Sequence, residues 1–181
     1  MYVVDIETTG LFGIDYGDKI VEIGVCEITS GGKIRTTYSN LVSQPNIYDY
    51  SDSWVFHNTN LTPEEVIKNG TPEEDVISDL KELFSGEVMT SYNVTFDFGR
   101  FLFKSPYELK VRVPFDILEV ATNVLSPDSP RWLRSEDAYR MACPEDPAGL
   151  KFKQTHRALD DAIMEAHILT HVLGISGEGV N

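Results

Sequence analysis

At 181 residues, 41% of them hydrophobic, the chain is sized for one folded domain with its own core and is not a disordered polypeptide. Its formal net charge of −14, from 29 acidic and 15 basic residues, argues against tight, indiscriminate binding of long duplex DNA. No apolar run approaches the ~20 residues of a membrane helix, the N-terminus carries no secretory pattern, and Cys26 and Cys143 lack metal-type spacing, so the expectation is a cytoplasmic protein without membrane contact, disulfide framework or zinc site.

The first predicted element is a buried-type strand over Tyr2 to Glu7, ending at Thr8-Thr9-Gly10. Two further β-branched runs, Ile20 to Ile28 and Ile34 to Val42, are joined by the turn signal Ser30-Gly31-Gly32 and read as a hairpin. A looser segment spans Gln44 to about Asn60. Two helix starts follow, Thr62-Pro63-Glu64-Glu65 and Thr71-Pro72-Glu73-Glu74, each with a cap residue, a proline for the first helical position and acids in the first turn. The second should run to Phe84, carried by Val76, Ile77, Leu80, Leu83 and Phe84.

After Gly86 the run Val88 to Tyr92 returns as a strand, and helices are predicted over Phe96 to Phe103, Ile117 to Leu125 and Trp132 to Met141. The last helix, Arg157 to Leu173, has apolar residues recurring at steps of three and four, and Gly174 ends it. The expected domain covers residues 1–174, with a frayed tail over 175–181. Strand, hairpin, helix, strand and then helices imply an α/β domain with a mixed sheet and helices on its faces.

Asp5 and Glu7 lie two apart on a strand, so both side chains leave the same face. Two carboxylates at that range repel in a half-buried setting unless one is protonated or a cation sits between them. Mg²⁺ or Mn²⁺ suits an all-carboxylate site. Asp97 lies where a strand hands over to a helix, a position that also suits a helix cap. In His156-Arg157-Ala158-Leu159-Asp160-Asp161, a His156 inside the helix would point about 140° away from Asp161. On the loop before the helix, its ring could approach that face instead. Spacing does not choose between Asp160 and Asp161, and both also suit a helix N-terminus.

These residues resemble the DnaQ-like (DEDDh) 3′–5′ exonucleases, a group that includes polymerase proofreading subunits, RNase T and oligoribonuclease. The motifs are Asp5-Ile6-Glu7-Thr8-Thr9-Gly10, Asn93-Val94-Thr95-Phe96-Asp97 and His156-Arg157-Ala158-Leu159-Asp160-Asp161-Ala162, with Phe56-His57-Asn58 and Leu61-Thr62-Pro63-Glu64 between them. The resemblance implies a ribonuclease H-like fold with a central mixed five-stranded sheet flanked by helices. It implies Asp5, Glu7, Asp97 and Asp161 as ligands of two divalent cations, and His156 as general base. It favours Asp161 over Asp160, because the family pattern is His-x-Ala-x-x-Asp. A sister group has tyrosine four residues before that Asp, where this chain has Arg157. Tyr92-Asn93 and His57-Asn58 depart from the His-Asn and His-Gly of many relatives, which blurs the subfamily and touches no expected ligand.

In the expected chemistry, two metal ions ~4 Å apart clamp a phosphodiester while His156 takes the proton of the attacking water. The expected substrate is a single-stranded 3′ end of DNA or RNA, released as nucleoside 5′-monophosphates, with a polymerase as the implied partner class. Candidate contacts are Thr8, Thr9, Gly10 and Leu11 at the turn, Phe12 by stacking, and His57 on a phosphate or sugar. Leu11 and Phe12 suit the core equally well. Asn93 and Phe96 read as supports of the site more than as direct contacts. Residues 100–157 hold 10 bases against 8 acids, so Arg100, Lys104, Arg131, Arg134, Lys151 and Lys153 are available for a local basic surface. The competing readings are an endonuclease of the wider ribonuclease H-like group, or a catalytically silent domain docking on a polymerase or other partner.

Overall fold

The computed structural model describes residues 1–146 and 156–175. In chain order the elements are β1 (Tyr2–Thr8), β2 (Ile20–Ile28), β3 (Ile34–Ser43), α1 (Trp54–Asn58), α2 (Pro63–Asn69), β4 (Thr71–Pro72), α3 (Glu73–Phe84) and β5 (Met89–Thr90). A π-helical segment (Thr95–Leu102) follows, then α4 (Ile117–Leu125), α5 (Ser135–Ala142) and α6 (Ala158–Val172). The five strands form one mixed sheet in the order β4-β3-β2-β1-β5, antiparallel through β1, β2 and β3 and parallel at both flanks.

Alternation along β1 divides the core. Val4 and Ile6 face α3 and the π-helical segment, packing among Ile23, Val25, Leu80, Phe84, Phe98 and Phe101. Val3 faces the other way, with Cys26 and Ile28, against α4, α5 and α6. Asp5 and Glu7 share Val3's face, so both acids are delivered to the α6 side of the sheet. A smaller cluster of Val21, Ile47, Val55, Leu61 and Val66 ties α1 and α2 to the sheet.

Four expectations are corrected. Thr71 and Pro72 do not cap α3: they pair with Val42 and Ser43 as β4, because an open edge of β3 takes the segment before the helix begins. The Thr62 cap does form, its hydroxyl accepting from the Glu65 amide at 3.1 Å. α5 starts at Ser135 and not at Trp132, since the Leu133 amide is tied to the Thr122 hydroxyl of α4 at 3.1 Å. The segment from Gln44 to Asn60 holds a 3₁₀ turn (Ile47–Tyr50) and α1, and β5 is shorter than its apolar run. Among the described residues, no helix is long and apolar enough to cross a membrane, and Cys26 and Cys143 are both buried and in no disulfide. Lys151, Lys153 and all of the expected tail but Ile175 lie outside the described residues.

Candidate active site

The seat of α6 builds the site. Gly24 of β2 pairs with Asp5 of β1, and a Cβ there would lie 2.2–2.4 Å from the Ala158 and Leu159 backbone. Only a glycine lets the first turn of α6 rest directly on the sheet, which sets Asp161 beside the two acids of β1. Glu22, paired with Glu7 in the register, fixes the same helix end. Its buried carboxylate takes the Arg157 guanidinium in a two-pronged bond (Nε at 3.0 Å, Nη2 at 2.8 Å) and also accepts from the Ala158 amide at 3.1 Å. That carboxylate is a helix cap supplied from a distant strand.

His156 lies immediately outside α6 with φ at +51°, a left-handed conformation rare for a non-glycine residue. The turn sends its ring over the helix start, as the loop alternative requires. Nδ1 stands 4.0 Å from Glu7 Oε1, and the ring meets Trp54 edge-on at 4.8 Å. Burial holds the imidazole below its usual pKa, against the charge of Glu136, so the ring is neutral at pH 7 and able to accept a proton.

Asp97 sits in the π-helical segment, buried, with its amide bonded to the Asn93 carbonyl at 3.0 Å. The irregular turn is visible at its end, where the Phe103 amide reaches the carbonyl of Phe98, five residues back, at 2.9 Å. Asn93 caps this turn through its side-chain oxygen, which accepts from the Phe96 amide at 3.2 Å. One turn beyond Asp161 on α6 lies Glu165, buried, with one carboxylate oxygen that has no hydrogen-bond partner among the described residues.

Five carboxylates therefore act on one another. Asp5 is held well above its ordinary pKa first by burial and then, in descending order, by the charges of Glu165, Glu7, Asp97 and Asp161. Burial and then Asp161 and Glu22 push Glu7 to about 8, with Arg157 pulling back. Burial raises Asp97 to about 7 against the backbone amides at its own turn, and Glu165 is raised by burial, Asp97 and Asp161. Such crowding suits a cation, and Glu7, His156 and Asp161 each offer an atom, all within 4.8 Å of one another. Carboxylate oxygens are the donors that hard divalent ions take.

Asp5, Glu7 and Asp161 open onto a cavity of about 470 Å³, which Asp97 and Glu165 do not line. Asp5, Glu7, His156 and Asp161 form its floor, with Thr8, Thr9, Gly10, Leu11, Trp54 and Phe96 as walls. The turn at its rim is organised by Asp18, which accepts from the Phe12 and Gly13 amides at 2.7 and 2.8 Å and packs against Gly10. Thr8 closes onto the Gly10 carbonyl at 2.7 Å, and the Thr9 hydroxyl accepts from the Lys19 amide at 2.9 Å. Leu11 and Phe12 are exposed and not core. His57 is exposed beside Asp52 and does not line the cavity; Trp54, one turn earlier on α1, does.

A family model described as Exonuclease, that of RNase T, matches residues 2–169. The chain belongs to the RNase T exonuclease family. No curated protein matches the sequence of this RNase T-family chain. Among solved structures, it is similar in fold to exonuclease I in "The structure of exonuclease I suggests how processivity is achieved" (16% identity, TM-score 0.66, covering 96% of this chain and 40% of that one). It is similar also to E. coli exonuclease I in complex with a dT13 oligonucleotide (17%, 0.61, 95% and 40%) and to the zinc-bound form of the E. coli enzyme with single-stranded DNA (16%, 0.66, 98% and 41%). This exonuclease-family chain thus spans about 40% of the length of those proteins.

Four residues of this RNase T-family site escaped sequence reasoning. Trp54 sat in a segment read as loose. Asp18 and Glu22 look like ordinary surface acids until the fold brings the Gly10 turn and α6 to them. Glu165 had a local signal, an acid four residues after Asp161 on the apolar stripe of α6.

Proposed function

We propose that this chain is a metal-dependent 3′–5′ exonuclease that hydrolyses the terminal phosphodiester of single-stranded DNA or RNA and releases nucleoside 5′-monophosphates. The observation that carries the reading is the convergence of Asp5, Glu7 and Asp161, from two distant chain segments, beside His156 in one cavity, with the buried Asp97 of a third segment near enough for its charge to raise Asp5. Exonuclease I of E. coli, similar in fold, has been crystallised with oligonucleotides, which supports a single strand as the substrate class.

Asp5, Glu7, Asp97 and Asp161 would hold the divalent cations, two Mg²⁺ or Mn²⁺ ions. Bound there, such ions supply Lewis-acid stabilisation of the phosphoryl oxygens and lower the pKa of a coordinated water. His156 accepts a proton inside the cavity, beside Glu7 and against the Trp54 ring. Leu11 and Phe96 give the terminal base apolar walls, and the narrow turn Thr8-Thr9-Gly10 lets backbone approach the end of the strand.

Incubation of 5′-labelled single-stranded DNA and RNA with the protein and Mg²⁺ or Mn²⁺ tests this. The expected product is a ladder shortening from the 3′ end, abolished by EDTA and by Asp97→Ala, and lowered by His156→Ala about 10²–10⁴-fold, the usual contribution of a general base. Internal cuts, or degradation indifferent to both EDTA and Asp97→Ala, would refute the assignment.

A further inference from the structure

Asp97 enters the cluster from the first turn of the π-helical segment, and that turn hangs on one peptide unit, the one joining Asn93 to Val94. Its carbonyl accepts from the Phe96 amide at 2.8 Å and from the Asp97 amide at 3.0 Å. Its N–H, on the opposite edge, donates to Asp116 Oδ2 at 2.9 Å. A trans peptide unit is planar, with N–H and C=O directed oppositely, so a group that holds one edge sets the direction of the other. Val94 brings no side-chain cap of its own to this rare type of turn, and the anchor comes from outside the segment.

The same carboxylate caps α4, where Asp116 Oδ1 accepts from the Leu118 amide at 2.9 Å. Asp116 is half-buried, does not line the acidic cavity, and gives both oxygens to backbone amides. It can therefore act on a cation only through Asp97. Two neighbouring bonds fasten the same joint without touching the Asn93–Val94 unit. The Thr90 hydroxyl donates to the Phe115 carbonyl at 2.7 Å, and the Ile117 amide to the Ser91 carbonyl at 3.1 Å. The start of α4 thus has other fastenings, whereas the Val94 N–H is served by Asp116.

We infer that Asp116 is a positioning residue for the reaction, holding the Asn93–Val94 peptide at the angle that delivers Asp97 to the metal centre. The inference rests on the exonuclease reading, in which Asp97 is a ligand. Without the tether the peptide unit can turn about its flanking Cα bonds, and the Asp97 amide follows the carbonyl to which it is bonded. Metal ligation is exacting in distance, to about 0.2 Å, so the loss is felt first in affinity for the cation. A residue that only capped α4 would lose stability and leave the metal where it was.

The test separates the cap from the tether. Serine is as good an N-cap as aspartate but carries a single oxygen on a shorter side chain, so Asp116→Ser keeps the Leu118 bond and loses the Val94 bond. Thr90→Val removes the Phe115 bond and weakens the same joint while leaving the Asn93–Val94 unit tethered. Each variant is measured for Tm in EDTA, for Mn²⁺ affinity by titration calorimetry, and for hydrogen exchange at the Val94, Asp97 and Leu118 amides. Asp116→Ser should bind Mn²⁺ about 10–100-fold more weakly, the usual cost of losing a group that orients a ligand. Exchange should quicken at Val94 and Asp97 and stay slow at Leu118, and added Mn²⁺ should recover the rate of 3′ nucleotide release. Thr90→Val should melt lower and keep the wild-type affinity. An Asp116→Ser protein that binds Mn²⁺ as the wild type does, or a Thr90→Val protein that loses as much affinity as Asp116→Ser, would overturn the role of Asp116. A wild type that binds no Mn²⁺, or affinity unchanged by Asp97→Ala, would instead count against the exonuclease reading itself.

Discussion

Removing divalent metal from this protein should make its stability fall as pH rises, opposite to what salt-bridged acids give. Glu7 moves from 4.5 to about 8 on folding and Asp97 from 3.8 to about 7, because burial and neighbouring carboxylates disfavour their ionised forms. A carboxyl whose folded pKa lies above its unfolded value binds more protons in the folded state. Its favourable contribution is therefore complete below the unfolded pKa and is withdrawn as pH climbs through the folded one. For Glu7 alone the withdrawal is worth roughly 5 kcal/mol, and for Asp97 roughly 4. The two share part of the same repulsion, so they do not add, and the scale of the effect is roughly that of one group. In a domain of this size, 5 kcal/mol corresponds to about 10–20 °C in Tm. The assay is thermal unfolding in EDTA from about pH 5 to about pH 8, with and without Mn²⁺. Tm should decline across that interval without metal. Saturating Mn²⁺ at about a hundred times Kd should restore about 2.7 kcal/mol at the upper end. An EDTA curve that is level or climbs would falsify the account, as would the same decline in Glu7→Gln/Asp97→Asn.

Three further outcomes follow from the same geometry. Gly24→Ala forces the first turn of α6 off the sheet, since its methyl would meet backbone and not a movable side chain, and should cost about 1–3 kcal/mol in denaturant unfolding together with most of the nuclease activity. Arg157→Ala leaves the buried Glu22 without its cation; because Arg157 is itself partly exposed, about 2–3 kcal/mol is expected, and Arg157→Lys should recover only part of it. Glu165→Gln removes one charge from the crowded cluster, so the metal-free protein should melt higher while the increment in Tm on adding Mn²⁺ shrinks; a lower metal-free Tm would show that Glu165 stabilises the apo fold.

What could be read in the sequence and what could not divide along a physical line. β1, β2 and β3 announced themselves because β-branched runs between turn residues have few other uses, and α4 matched its apolar periodicity end for end. Asp5 and Glu7 could be paired on one face from the strand period alone. Thr71-Pro72 misled because a strong local cap pattern lost to an edge strand that only the folded sheet provides. Local rules cannot see such a partner. Glu22 and Asp18 failed for the same reason, their partners lying 135 residues away at Arg157 in one case and across a turn in the other. His156 was ambiguous because its position depends on a left-handed turn that no neighbouring glycine advertises.

The site's parts are spread along the chain in a particular order. Asp5 and Glu7 lead, Asp97 follows midway, and Asp161 comes after the greater part of the polypeptide. A nascent chain thus carries Asp5 and Glu7, and from midway Asp97, without the helix that brings Asp161. The full set of acids assembles only once α6 has been synthesised and seated against Gly24 of β2.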